Sequence, residues 1–227
     1  MREEDRQWYV RAEPSDESRR ALADHQRHLQ TLLENLRLNP RLTRADDLHW
    51  TALFLGSARR WVRTLRALDF AGDITAEDLE KLAGHAREHL GLPVSKTPVE
   101  SPVVGAPETY DVFFTGGTNA VFVMRFESLK ALADALVSRA QQAVTDWERE
   151  GKFPAGTTHR LFRHPDFPLA REQHGGKPHV TLARGRVSRE RQRDVLRTIR
   201  ATRLASPQPI AFGHAEVRIA HTRPRSR

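Results

Sequence analysis

The chain has 227 residues, no cysteine and a formal net charge of +8 at pH 7. This length is enough for one domain with a core of its own, and the lack of cysteine excludes disulfides, thiolate zinc sites and cysteine nucleophiles. No apolar run approaches the ~20 residues of a membrane-spanning helix, and the charged opening MREEDRQWYV is unlike a secretory signal, so we expect a soluble cytoplasmic protein. Arginine carries most of the positive charge, which is compatible with an anionic ligand but does not identify one.

The first half of the chain alternates between strand-like and helix-like patterns. Apolar residues at strand or helix spacing, with capping residues before the helices, predict a strand, a helix, a second strand and two helical segments, over residues 7–14, 16–36, 48–55, 57–70 and 75–92. Four prolines then make residues 93–108 extended or irregular.

The second half begins with the clearest β-hairpin of the sequence, residues 109–126, which turns at the Gly-Gly-Thr-Asn of 116–119. A long amphipathic helix, a strand, a helix and a final strand are predicted at 128–150, 178–184, 188–201 and 209–222. Residues 151–177, which are rich in glycine, proline, histidine and arginine, are predicted to form a long loop. The order of elements indicates an α+β fold with antiparallel strands.

Two strands, one in each half, carry a histidine and a threonine two residues apart. These are DLHWTALFLG, residues 47–56, and PHVTLAR, residues 178–184. Because side chains alternate along a strand, His49 and Thr51 lie on one face of the first strand. The opposite, apolar face is predicted to hold Leu48, Trp50, Ala52 and Phe54.

In the second of these strands, His179 and Thr181 share one face, and Val180 and Leu182 share the other. Strict alternation would put Arg184 on the face opposite His179. Each strand therefore anchors itself in a core and presents an imidazole beside a hydroxyl group.

Such a pair of strands suits the cleavage of a phosphate ester by a paired acid and base. An imidazole with a pKa near ~6.5 can accept or donate a proton at neutral pH, and threonine hydroxyls can donate hydrogen bonds to phosphate oxygens. Nothing in this scheme requires a metal or another cofactor. The structural alternative is that the two histidines are half-buried and simply bonded to neighbouring hydroxyl groups.

The two motifs resemble the signatures of the two-histidine (2H) phosphoesterase superfamily, most closely those of the bacterial RNA 2′,3′-cyclic phosphodiesterases, the LigT-like or 2′-5′ RNA ligase family. HWTALFLG matches the pattern His-x-Thr-Leu-x-Phe-Leu-Gly except at Ala52, and PHVTLAR matches the second signature throughout. WYVRAEPSDESRRAL resembles the opening strand and helix of that family, and AEVRIAHT its closing strand.

The resemblance implies a bilobal, pseudo-two-fold symmetric α+β domain over residues 1–221, with two antiparallel sheets facing each other across a groove and helices outside. Residues 222–227 would form a basic, disordered tail. It also implies that His49 protonates the ribose O3′, that His179 activates the attacking water, and that the product is a 2′-phosphomonoester. The phosphate would be bound by Thr51, Thr181 and Arg184. The pseudo-symmetry also permits the reverse acid and base assignment.

The same resemblance implies a monomeric enzyme that acts without a metal or cofactor on RNA 2′,3′-cyclic phosphate ends or cyclic nucleotides. Three alternatives remain open from the sequence: hydrolysis of another cyclic nucleotide such as ADP-ribose 1″,2″-cyclic phosphate, recognition of RNA ends without turnover, and reversible 2′-5′ RNA ligation. Trp8 and Tyr9 are candidates either to stack on a nucleobase or to pack in the core. Basic side chains of the predicted loop could guide an RNA end or simply be solvated at the surface: His159, Arg163, His164 and His174.

Overall fold

The computed structural model describes residues 5–70, 72–93, 101–170 and 177–221. The strands in this part of the chain are β1 (Arg6–Pro14), β2 (Arg41–Leu42), β3 (Trp50–Gly56), β4 (Val103–Gly105), β5 (Thr109–Phe114), β6 (Asn119–Arg125), β7 (His179–Arg186) and β8 (Ile210–His221). The α-helices are α1 (Asp16–Asn35), α2 (Ala58–Ala67), α3 (Ala76–His89), α4 (Lys130–Arg149), α5 (Thr157–Leu161) and α6 (Gln192–Ala201). The predicted tail, residues 94–100 of the proline-rich segment and His174 lie outside the described residues.

The described strands form one antiparallel sheet in the order β4-β8-β1-β3-β7-β6-β5, with β2 paired to β7 beside this path. The α+β fold with antiparallel strands is therefore confirmed. Two separate facing sheets are not shown, because β3 and β7 pair at Trp50 and Val180 and thereby join the two halves. Within the described residues, Trp50 and Val180 are the only pair of directly opposed residues between β3 and β7.

The core lies between the sheet and the helices. Helix α1, which begins after the N-cap Ser15, contacts β1, β7 and β8, while α3 contacts β1, β3 and β8. Helix α4 contacts β3, and α6 contacts β5. Large side chains at the sheet–helix boundary are fully buried, among them Trp50, Trp61, Tyr110, Phe122, Phe126 and Phe212. None of the described helices is both long and apolar enough to cross a membrane.

The prediction of a loop over residues 151–177 holds for most of its described part, but helix α5 interrupts it at Thr157–Leu161. Apolar side chains of this segment form part of the core: Phe153, Leu161, Phe167, Leu169 and Ala170 are all buried. Phe167 packs against Trp61 of α2 with 4.6 Å between the ring centroids. The segment thus packs part of its length into the core through a few apolar side chains, although its composition is typical of a loop. His159 and Arg163 are exposed, and α5 contacts α2 and α4.

Candidate functional site

The two motif strands meet at the middle of the sheet. Trp50 and Val180 are directly opposite each other, so their side chains share a face, and both are buried in the core. The residues on either side of this pair must then point to the opposite face. The structure therefore brings the four motif side chains together on one face around the junction: His49, Thr51, His179 and Thr181.

Each motif strand has an irregularity in its pairing immediately after the threonine. Strand β1 pairs Arg11 with Thr51 and Val10 with Leu53, which leaves Ala52 as an extra residue in β3. Strand β6 pairs Val123 with Thr181 and Phe122 with Ala183, which leaves Leu182 as an extra residue in β7. These two β-bulges occupy the same position of the two motifs.

The bulge in β7 corrects the predicted position of Arg184. Val121 and Val123 are two residues apart in β6 and share a face, and they pair with Arg184 and Thr181. Arg184 therefore lies on the face of Thr181 and His179 rather than on the opposite one.

The bulge in β3 has the same consequence for the residues that follow it. Phe54, which alternation placed in the core, pairs with Tyr9 and is only half-buried, while Leu53 and Leu55 are buried instead. Phe54 and Arg184 thus occupy corresponding positions beside the two motifs.

Both motif imidazoles are held in the same way by the backbone. The Nδ1 atom of His49 is 2.8 Å from the carbonyl oxygen of Asp47, and the Nδ1 atom of His179 is 2.8 Å from the carbonyl oxygen of Lys177. Because a carbonyl oxygen can only accept, each Nδ1 must carry the hydrogen and donate it. The Nε2 atom of each neutral ring is then left as a proton acceptor.

The surroundings lower the pKa of both histidines. Burial lowers the pKa of His49, the bond to the Asp47 carbonyl opposes this shift, and the further charges are the cation Arg11 and the carboxylates Glu13 and Asp47. Burial also lowers the pKa of His179, against the bond to the Lys177 carbonyl. There, two cations, Arg125 and Arg184, lower the pKa further, and one carboxylate, Asp111, raises it.

A buried network of charged groups lies on the same face next to His49. Arg11 donates to Glu13 and, over 2.6 Å, to Glu216. Glu13 is 2% exposed and also accepts from Arg19 at 2.7 Å and contacts His214 at 3.0 Å. Burial raises the pKa of Glu216, but hydrogen bonds that include those from Arg218 and Arg11 outweigh this effect and lower it to about 2.

This network reaches the backbone that orients His49. The Nη1 atom of Arg19 donates to the carbonyl oxygen of Ala45 over 2.9 Å. Ala45 begins the single-turn 3₁₀ helix Ala45–Asp47, and Asp47 provides the carbonyl that fixes the His49 ring. Glu13 and Arg19 thus support the position of His49 through two successive bonds.

A second buried carboxylate lies near His179. Asp111 is 0% exposed and accepts from Arg200 at 2.9 and 3.2 Å, while Arg125 is 3.7 Å away. Sequence reasoning missed Asp111 and the network around Glu13. The available signal was the presence of charged residues at alternate positions of apolar strands, in YVRAEP and TYDVFF.

One aromatic side chain stands near each histidine. The ring centroids of Tyr9 and His49 are 6.0 Å apart, and those of Phe113 and His179 are 5.0 Å apart. Both aromatic side chains are half-buried, whereas Trp8 is 3% exposed within the core. Of the two alternatives for Trp8, core packing is the one that the structure shows, and Phe113 is an aromatic neighbour of His179 that the sequence did not indicate.

No group of three or more histidine, aspartate or glutamate side chains that could hold a metal ion occurs among the residues that the structure describes. The two motifs and Arg184 together place two imidazoles, two hydroxyl groups and a guanidinium on this face.

No protein-family model matches the sequence, and no curated protein matches it. Solved structures do match. Kluyveromyces marxianus Usb1 aligns with a TM-score of 0.54 and 11% identity over 96% of each chain. The same protein with uridine monophosphate aligns with a TM-score of 0.51 and 10% identity over 97% of this chain and 96% of that one. TT0787 of Thermus thermophilus aligns with a TM-score of 0.46 and 19% identity over 93% of this chain and 83% of that one. The chain thus has a fold similar to that of Usb1 over almost its whole length.

Proposed function

We propose that the chain is a metal-independent phosphodiesterase that opens 2′,3′-cyclic phosphates at RNA ends or in nucleotides and leaves a 2′-phosphomonoester. One observation carries this proposal: two histidine–threonine pairs, with the same bulge and the same Nδ1–carbonyl bond, flank a single strand junction on one face. Two Nε2 atoms that can take opposite protonation states are what an acid–base pair requires.

In this reaction a water oxygen forms a bond to phosphorus and the bond from phosphorus to O3′ breaks. His179 accepts the proton of the water, and His49 donates a proton to O3′, which becomes a free hydroxyl group. Thr51, Thr181 and Arg184 bind the non-bridging oxygens, whose negative charge grows in the transition state.

The charges near the two rings support this assignment of roles. Arg125 and Arg184 favour the neutral form of His179, which a base needs, against one carboxylate, Asp111. Burial and the cation Arg11 favour the neutral form of His49, whereas the bond to the Asp47 carbonyl and the carboxylates Glu13 and Asp47 favour the protonated form, which an acid needs. The uridine monophosphate of one Usb1 structure further supports a nucleotide as the ligand of this fold.

The decisive experiment incubates the purified protein with uridine 2′,3′-cyclic phosphate in the presence of EDTA. We expect undiminished turnover and a single product, uridine 2′-phosphate, identified by its phosphorus NMR signal. Loss of activity on chelation that added metal restores would contradict the metal-independent reaction. A 3′-phosphate product would contradict the assigned leaving group. ADP-ribose 1″,2″-cyclic phosphate serves as the competing substrate, and its preferential hydrolysis would contradict the proposed substrate class.

The pH dependence of kcat/KM gives a further prediction. The active form has one ring protonated and one neutral, so activity is greatest between the two pKa values of the pair. Because burial lowers both pKa values from 6.5, we expect a bell-shaped profile with its maximum below pH 6.5. Initial rates at subsaturating uridine 2′,3′-cyclic phosphate measure this profile, and a maximum above pH 7 would contradict the prediction.

A further inference from the structure

A cleft of about 480 Å³ opens beside the candidate site, and we call it the arginine cleft. Its lining contains four arginines and two asparagines but no carboxylate: Arg37, Arg41, Arg184, Arg186, Asn39 and Asn119, with Leu38 and Gly185. A concave surface lined by one sign of charge concentrates the potential and favours an anionic ligand.

Arg184 links the arginine cleft to the candidate site, because it lines the cleft and lies on the motif face. Arg184 lies on the motif face, and Arg186, two residues further along β7, shares that face. Arg41 of β2 pairs with Arg184, so its side chain is on the same side of the sheet. Strand β7 therefore leads from His179 and Thr181 directly into the cleft.

The cations of the cleft have no partners in the described part of the protein. None of the four guanidinium groups makes a hydrogen bond or ion pair with another described residue. The neighbouring Arg191, in contrast, donates to the carbonyl oxygen of Leu36. Four uncompensated like charges around one cleft repel each other, and an anion between them would relieve this repulsion.

Arg37 occupies a backbone conformation that favours glycine. It follows helix α1 with a φ of 53°, and Leu38 donates to the Leu33 carbonyl oxygen over 2.9 Å, as in a helix C-terminal turn. A side chain at this φ costs conformational energy that glycine would avoid. Arg37 thus presents its guanidinium to the cleft from the left-handed position of this turn, a position that Asp69 occupies after α2.

We infer that the arginine cleft binds a phosphate group attached to the 5′ oxygen of the nucleotide whose cyclic phosphate reacts. This inference rests on the proposed function. In such a nucleotide the 2′ and 3′ oxygens are both occupied, so a second phosphate beside the reacting one is carried by O5′. The preferred substrates are then nucleotides with a 5′-phosphate, as a monoester or as the diester of an RNA chain, rather than nucleosides with a free 5′ hydroxyl.

The test compares kcat/KM for three substrates: uridine 2′,3′-cyclic phosphate, its 5′-phosphorylated form, and a diribonucleotide that ends in the same cyclic phosphate. We expect at least one of the 5′-phosphate substrates to be preferred by about tenfold or more, because a charge-assisted contact contributes at least that factor. If the 5′-phosphorylated nucleotide and the diribonucleotide are both preferred, the cleft recognises the 5′-phosphate group itself. If only the diribonucleotide is preferred, the cleft recognises the phosphodiester of an RNA chain.

Substitutions in the arginine cleft test whether the cleft causes the preference for a 5′-phosphate. Arg41→Gln and Arg186→Gln should remove most of the 5′-phosphate preference and leave turnover of the free 5′-hydroxyl substrate unchanged. Arg37→Gly should also reduce the preference without lowering the melting temperature, because glycine relieves the backbone strain. Arg66→Gln, which removes an exposed and unpaired charge on α2, is the matched control and should keep the full preference.

The inference and the proposed function fail in different ways. Absence of hydrolysis for all three substrates overturns the proposed function. Hydrolysis of all three at the same efficiency overturns the inference alone. So does a 5′-phosphate preference that survives both Arg41→Gln and Arg186→Gln, or that is lost equally in Arg66→Gln.

Discussion

Replacing either motif histidine with alanine is expected to lower kcat/KM for uridine 2′,3′-cyclic phosphate by about 10²–10⁴-fold, the usual contribution of one positioned proton transfer. In the proposed reaction, His179→Ala removes the group that accepts the proton of the water, and His49→Ala removes the group that donates to O3′. The double variant should be little worse than either single variant, since the two rings act as one unit. His85→Ala, which removes an exposed imidazole from α3, is the control and should retain full activity.

The residual activities also test which histidine has which role. A base must be neutral, so His179→Ala should lose the acidic limb of the pH profile. An acid must be protonated, so His49→Ala should lose the basic limb. If the limbs are lost in the opposite order, the roles are reversed. If both single variants turn over at the wild-type rate, the paired acid–base reaction is excluded.

The second large effect concerns folding rather than catalysis. Glu13→Ala is expected to lower the free energy of unfolding by about 3–5 kcal/mol, because it removes the buried carboxylate of an ion network and leaves only Arg11 with a second carboxylate, Glu216, in that network. Arg11, Arg19 and His214 all contact Glu13, and Arg11 is 7% exposed. Urea unfolding of the variant and the wild type, monitored by circular dichroism, measures the difference.

A neighbouring carboxylate provides the control for this experiment. Asp16 lies 4.0 Å from the same Arg19, but its side chain is fully exposed. Solvent screens such a pair, so Asp16→Ala should change the free energy of unfolding by no more than about 0.5 kcal/mol. A loss below about 1 kcal/mol for Glu13→Ala would show that Arg11 and Arg19 find other partners and that the network is not a unit.

Much of the fold follows from local pattern. The two halves of the hairpin at residues 109–126 became β5 and β6, and the segments predicted as amphipathic helices became α1, α2, α3, α4 and α6. Period-2 alternation also placed the four motif side chains correctly on the face away from Trp50 and Val180. These features depend on the period of apolar residues, which the sequence displays directly.

The remaining features depend on partners that are distant in sequence. Which residue of β7 pairs with Val123 is decided by the hydrogen bonds of β6, so alternation alone put Arg184 and Phe54 on the wrong faces. The partners of Asp111, including Arg200 at 89 residues' separation, were equally invisible. The burial of Phe167 depends on Trp61 in another helix, which composition within residues 151–177 could not reveal.

The extra residue after each motif threonine determines which face of the sheet the following side chains occupy. Side chains alternate between the two faces of a strand, and one extra residue reverses the faces of the residues that follow it, up to any further bulge such as the one at Leu55 of β3. Loss of one residue between Thr181 and Arg184 would turn the guanidinium inward and the following glycine outward, whatever residues remained. Substitution of Leu182 or Ala52 by another residue would keep the number of residues in the strand, and hence the faces of the side chains that follow. For the proposed site, the presence of a residue at these two positions therefore matters more than its identity.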